Sequence, residues 1–406
     1  MSVKSTLITT LSIMLISCGG GSDTQPLAGD IPAADTPQPQ IPSTGNPSSL
    51  FNGGLTGRLV TTQDHRPVEF DLSTGNRGEL PAMDTRKYFV DQGIGNSRVL
   101  SGNAFAASDI GTVGYVETVY ECFNGTEGTC VTVFDDQYQP RKIIQMPDRI
   151  VKESVKLSRS GQYLLVSEFD FASEWTTILM ADVSTGQIVH QYIPDNNIPS
   201  RETGNLISPA AVEWGADDRA IFSLPADIRP TVYITEPGTL NVARRLNLPS
   251  RYGGRISNMD LHPDGNQLLF EYSPRGLDFD SFTSIVMVLD LTTLGIRFPA
   301  VHVDDAQRQP MGDGFSSLFH APRWSPDGQH IVFRVGLDSA AVVIAPGTDQ
   351  RLNRDMVVVP ADQNRLVFNQ FGGTLPAPAV RLQFRDIDGT LGTYWRGDRS
   401  YVNWVR

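Results

Sequence analysis

The chain has 406 residues, 40% of them hydrophobic and 19% charged, with a formal net charge of −12. That balance excludes a disordered polyelectrolyte and gives no electrostatic reason to bind nucleic acid or an anionic membrane face. The length leaves room for a large closed core.

Lys4 precedes an apolar run from Leu7 to Ile16 that stops at LISC, ending in Cys18. So short a run falls below the roughly 20 residues of a permanent membrane helix and reads as a signal peptide over residues 1–17. It resembles bacterial lipoprotein signals, which implies cleavage before Cys18 and a palmitate-type lipid on that cysteine. An ordinary secretory signal with an incidental cysteine is the competing reading. Gly19 stands where an aspartate would imply inner-membrane retention, so the outer membrane is expected. Residues 18–50 then form a tether, because six prolines and five glycines with few large apolar side chains cannot bury enough surface to order.

Residues 51–406 are expected to be one all-β domain. Cys122 and Cys130 lie in YECFNGTEGTC between two β-prone runs, so a hairpin-tip disulfide in an oxidising compartment is expected there. The longest signal in this part is a recurring phrase: LSRSGQYLLVSEF from Leu157, VEWGADDRAIFSL from Val212, DLHPDGNQLLFEY from Asp260, RWSPDGQHIVFRV from Arg323 and YWRGDRSYVNWVR from Tyr394. Each copy puts an apolar anchor (Leu157, Trp214, Leu261, Trp324, Trp395) before a polar corner and an alternating run, the pattern of strand, turn and strand. Copies about 50 residues apart can bury one another's faces as blades of a propeller.

A second phrase marks the turn from third to outer strand: EFDLSTG, VFDDQYQ, MADVSTG, YITEPGT, VLDLTTLG and VIAPGTD. Its spacing predicts a six-bladed β-propeller closed by pairing the C-terminal strands with those at residues 55–80. Unassigned runs at residues 361–390 and the missing corner near residues 86–146 leave a seven-bladed count open. WSPDG and LHPDG resemble the corners of the TolB-like propeller family with its PD40 repeats, a WD40-like architecture. That resemblance implies the fold over residues 51–406. It implies no Pal-type partner, because the separate α/β domain that precedes the TolB propeller has no counterpart here.

In such a fold the corners share one face, and the elaborations at residues 195–206, 225–230, 273–283, 303–317 and 361–380 are assigned to the other. SPRGLDFDSF supplies Arg275, Asp278, Phe279, Asp280 and Phe282, and the following long insertion supplies Asp304, Asp305, Asp313, Phe315 and His320. Aromatic anchors among charges suit a protein, peptide or glycan partner; solvated loops that have drifted in length are the plainer reading. The aspartates invite calcium, yet lack ligand-loop spacing, so no metal or other cofactor is assigned.

Just before the anchors stand Lys156, Glu213, Asp260 and Arg323. Neighbouring blades should set Lys156 near Glu213 and Asp260 near Arg323, either as structural ion pairs or as a channel-lining ligand site. No GxSxG occurs and the histidines lack metal-ligand spacing, so no catalytic residue is assigned. The expected function is a lipid-anchored envelope binding or scaffold module that meets the membrane through its lipid alone. A propeller hydrolase, lactonase or lyase with a site in the central funnel is the alternative.

Overall fold

The computed structural model describes residues 51–405 except 64–65, 80–101, 108–112, 121–128, 135–139, 147–149, 171–174, 195–209, 225–226, 228, 249–253, 275–281, 304–318, 336–354, 369–374, 386–388 and 393–402. Cys18, the tether and Cys122 lie outside the described residues, so the lipidation site and the disulfide do too. Among the described residues no helix is long and apolar enough to cross a membrane.

The structure is almost wholly β. Sheet I opens with β1 (Arg58–Gln63), β2 (Arg66–Asp71) and β3 (Arg77–Glu79), and sheet II holds β4 (Gly102–Ala107), β5 (Val113–Tyr120), β6 (Thr129–Phe134) and β7 (Pro140–Met146). Sheet III holds β8 (Ile150–Leu157), β9 (Tyr163–Asp170), β10 (Trp175–Asp182) and β11 (Gln187–Tyr192). Sheet IV holds β12 (Ala211–Trp214), β13 (Ala220–Ser223), β14 (Thr231–Thr235) and β15 (Val242–Asn247). Sheet V is built on β16 (Gly254–Leu261), β17 (Gln267–Pro274), β18 (Phe282–Asp290) and β19 (Ile296–Val303), and sheet VI on β20 (Phe319–Trp324), β21 (His330–Val335) and β22 (Asp355–Pro360).

The remaining strands depart from simple succession. β23 (Leu366–Phe368) crosses to sheet V and pairs parallel with β19, while β24 (Val380–Arg381) completes sheet VI. β25 (Phe384–Arg385) and β26 (Leu391–Gly392) form a two-stranded ladder, and β27 (Asn403–Val405) pairs antiparallel with β1. The described residues thus make five sheets of four strands, one of five, and this small ladder. Inner strands β27, β4, β8, β12, β16 and β20 touch in that order, and β20 meets β27 again, which makes the body an all-β propeller.

The corners work as their sequence requires. Gly161, Gly265 and Gly328 each take the left-handed turn position at φ 71, 81 and 71, and Asp218 fills the same place at φ 56. The outer turns repeat a side-chain motif: Asp71 Oδ1 accepts from the Ser73 hydroxyl at 2.6 Å and the Thr74 amide at 2.9 Å. Asp182 does the same with Ser184 and Thr185, and Asp290 with Thr292 and Thr293. The hydroxyl bonds hold these carboxyls below their usual range, Asp290 down to about 2.

The core lies between sheets. Leu165, Ile178, Val212 and Phe222 pack sheet III against IV; Ile234, Met259, Phe270 and Met287 pack IV against V; Phe319, Ile331, Val286 and Val357 pack V against VI. Leu59, Val68, Val332 and Trp404 join VI to I.

At the C-terminal end Trp404 stands at an anchor position, and Trp395 lies outside the described residues. Trp404 is 8% exposed, faces His330 at 6.4 Å and donates to Thr56 O at 3.1 Å, matching Trp214, which stacks on Tyr163 at 6.2 Å. Closure pairs the C-terminal strand β27 with β1, as the sequence predicts, and among the described residues β27 is the one C-terminal strand of that sheet. VIAPGTD lies outside the described residues, between β21 and β22, and the turn that leaves the third strand β22 begins at Ala361. Residues 361–380 therefore follow a third strand and start at the corner end, where the Ala361 amide donates to Gln329 O at 2.8 Å. Within that span and just after it, β23, β24 and β25 are the strands present.

Candidate functional site

Most of the residues singled out on the long loops (Arg275, Asp278, Phe279, Asp280, Asp304, Asp305, Asp313 and Phe315) lie outside the described residues. Their segments join β17 to β18 and β19 to β20, at the end of the sheets away from the corners. Two assignments to loops are corrected. Phe282 opens β18 with its backbone opposite Val303, and His320 is the second residue of β20, opposite Arg334. Strand pairing reaches further into both insertions than their polar composition indicated. Among the described residues, no group of three or more His, Cys, Asp or Glu could hold a metal ion.

What the described residues do bring together is the polar lining of the inner strands. Lys156 Nζ lies 2.7 Å from Glu213 Oε2 and donates to Met259 O at 3.3 Å, so one ammonium links sheets III, IV and V. Glu213 Oε1 accepts from the Trp214 amide at 2.9 Å. Asp260 Oδ2 accepts from the Trp324 amide at 2.7 Å, while Arg323 donates to Pro322 O at 2.8 Å and Asn258 O at 3.4 Å. Asp260 and Arg323 therefore attract without forming a close ion pair. Burial is the main cause that pushes the Asp260 carboxyl up to about 6; Arg323 and Lys156 oppose the rise and Glu213 adds to it. On the corner side, the Arg159 guanidinium reaches the carbonyls of His262 at 3.1 Å and of Leu261 and Pro263 at 3.4 Å, a second bridge from sheet III to V.

A second cluster sits on sheets V and VI, further from the corners. Both inner strands carry a bulge with a left-handed residue: Asn258 at φ 51 between Ser257 and Asp260, and Ala321 at φ 48 between His320 and Arg323. Such a conformation costs an alanine on the order of 1–2 kcal/mol, so surrounding packing must hold it. The bulges turn side chains toward Glu271 on β17. Asn258 Nδ2 donates to Glu271 Oε2 at 2.8 Å, and His320 Nδ1 stands 4.0 Å from the same oxygen.

Sequence reasoning missed Glu271 and its equivalents. Ladder registers place Ser167, Ser223, Glu271 and Arg334 at one position of four second strands, and all are buried. The signal was present: LLVS, AIFS, LLFE and IVFR each end an apolar triplet on a polar residue where a core strand would continue apolar.

The connection at residues 225–230 is anchored, unlike a solvated loop. Tyr233 donates to Asp227 Oδ1 at 3.2 Å, Phe222 stacks on Tyr233 at 5.1 Å, and the Arg245 guanidinium lies 5.5 Å over that ring. Burial pushes the Asp227 carboxyl up to about 6 and raises the Tyr233 hydroxyl well above its ordinary value.

No protein-family model matches the chain, and no curated protein matches it in sequence. Solved structures are similar to it at low identity. TolB from Acinetobacter baumannii is 16% identical at a TM-score of 0.45, over 77% of this chain and 66% of that one. A putative TolB from Agrobacterium tumefaciens is 14% identical at 0.43, over 84% and 90%. A xyloglucanase from Xanthomonas campestris is 13% identical at 0.45, over 78% and 44%. This chain thus spans just under two thirds of the Acinetobacter protein and less than half of the xyloglucanase. The propeller assignment rests on the closed succession of inner strands, not on these likenesses.

Proposed function

We propose that the chain is a lipid-anchored cell-envelope protein whose six-bladed propeller serves as a binding or scaffold module for a protein, peptide or glycan. The lipobox at Cys18 supports anchoring, with the body facing the periplasm from the outer membrane. The circular succession of inner strands, each belonging to a sheet of four or five strands, supports six blades. Cys122 and Cys130 bracket the connection from β5 to β6 and are proposed to be bonded there.

One observation carries the binding reading: connection length is asymmetric. Corner turns such as Ser158–Tyr163 and Ser325–His330 are closed within a few residues by backbone hydrogen bonds. The segments 275–281, 304–318 and 336–354 all leave the opposite end, and all belong to sheets V and VI. Long connections on a rigid frame are where recognition is usually placed. Crosslinking in intact cells, then affinity purification of the native chain and of a variant lacking Arg275–Phe282, tests this. A partner lost with the loop supports the reading, and identical partner sets in both samples overturn it.

Asn258, Glu271 and His320 favour a second reading, an enzyme of the hydrolase, lactonase or lyase kind working at the inner strands. Under that reading Glu271→Gln abolishes turnover of an ester or lactone panel while leaving partner capture intact.

A further inference from the structure

The outer edge of a propeller sheet exposes a row of backbone N–H and C=O groups, and natural sheets protect such edges with charge, proline, shortness or a cover. Five of the six large sheets here are protected. β3 and β24 are three and two residues long. β7 begins Pro140, Arg141, Lys142, and β15 carries Arg244 and Arg245. The edge of β19 is covered by β23.

β11 has none of these devices. Its six residues, Gln187, Ile188, Val189, His190, Gln191 and Tyr192, include no lysine, arginine, carboxylate or proline, and all but Tyr192 are exposed. Among the described residues no strand pairs with its outer side. Ile188, Val189 and the following Ile193 are 37%, 44% and 54% exposed, half of the large apolar side chains that the described surface leaves exposed. The bulge between Met180 and Ala181 is no special guard, because β6–β7, β14–β15 and β18–β19 bulge as well. Tyr192 meanwhile packs on Phe222 at 5.0 Å and Tyr233 at 6.2 Å, which fixes the end of β11 against sheet IV.

We infer that β11 is a strand-addition site, whose occupant is an extended, uncharged segment of a partner protein that pairs backbone to backbone and sets β-branched side chains beside Ile188 and Val189. The chain already does this once to itself: Leu366–Phe368 adds to β19 through three paired residues. A lipid surface cannot satisfy a row of backbone groups. A second copy is a poor occupant, since each copy carries the same net negative charge.

The site lies on sheet III, whereas the segments of the binding reading belong to sheets V and VI, so its test is independent of that reading. The probe is a dye-labelled Thr-Val repeat peptide with a lysine at each end, titrated against the full-length processed protein by fluorescence anisotropy. Saturable binding is expected, weakened at least about tenfold by Val189→Lys, which buries a charge at the edge, and unchanged by deletion of Arg275–Phe282. The same peptide N-methylated at alternate residues should fail to bind, because it cannot form the ladder. Absent binding at millimolar peptide, equal binding by V189K, or equal binding of the N-methylated peptide overturns the proposal. Self-association lost in V189K overturns the assigned occupant in favour of a second copy.

Discussion

Lys156 Nζ lies 2.7 Å from Glu213 Oε2 across the boundary between sheets III and IV, with the two side chains only 14% and 11% exposed. Lys156→Met leaves the Glu213 carboxylate without that partner in a dry setting and should cost about 3 kcal/mol. Adding Glu213→Gln keeps an acceptor for the Trp214 amide and should recover more than half of the loss. Urea unfolding of both single variants and the double variant measures the coupling; simple additivity would show that the pair contributes no specific interaction.

Asp260 gives the stability a pH dependence of definite sign. Its carboxyl is pushed up to about 6, so the folded chain holds this proton more tightly than the unfolded chain does. Its contribution is therefore most favourable at low pH and is lost as the pH rises from about 4 to about 6, then stays level. Asp260→Asn retains an acceptor for the Trp324 amide and removes this dependence. The stability of D260N relative to the parent should rise across that window by on the order of 2 kcal/mol. Parallel profiles of melting temperature for the two proteins would contradict the assignment.

Leu294 occupies the left-handed place, at φ 61, that Gly75 and Gly186 fill at φ 71 and 73 in the matching outer turns. Its side chain is 49% exposed, so little burial offsets the backbone cost. Leu294→Gly should stabilise by about 0.5–1 kcal/mol. Chemical denaturation reads this directly, and a loss of stability would mean that the leucine side chain makes a contribution larger than the strain.

Arg297 fastens sheet VI to sheet V. It donates to the carbonyls of Ala361 and Gln363 and to Gln267 Oε1, and it lies 5.7 Å over the Trp324 ring. Lysine cannot reproduce that planar fork. Arg297→Lys should cost about 1–2 kcal/mol and speed amide exchange in Leu366–Phe368 well before the rest of sheet V. Unchanged exchange there would show that β23 is held by its own pairing alone.

Much of the architecture could be read from the corner phrases, because a glycine after an anchor and before an alternating run has one economical local solution. The weak points were phrases that imitate a turn without standing in the right place. VIAPGTD has turn chemistry, yet β22 follows it; nothing local tells an insertion between second and third strands from a turn after the third. Trp404 reaches an anchor position through the pairing of its strand with β1, and no corner phrase marks it. The site was legible in part. Lys156, Glu213, Asp260 and Arg323 were visible by equivalence, whereas Glu271 was hidden inside a strand that otherwise reads as core.

The sequence by itself determined the strand periods, the corners and the charge placed before each anchor, since these depend on backbone preferences and on residues close in the chain. Tertiary structure alone decided that β23 would cross to sheet V, that Arg323 would turn to the carbonyls of Pro322 and Asn258 and not to Asp260, and that no strand among the described residues would pair with the outer side of β11. Those outcomes depend on which surfaces remain unburied after the ring has closed, and burial is a property of the whole chain.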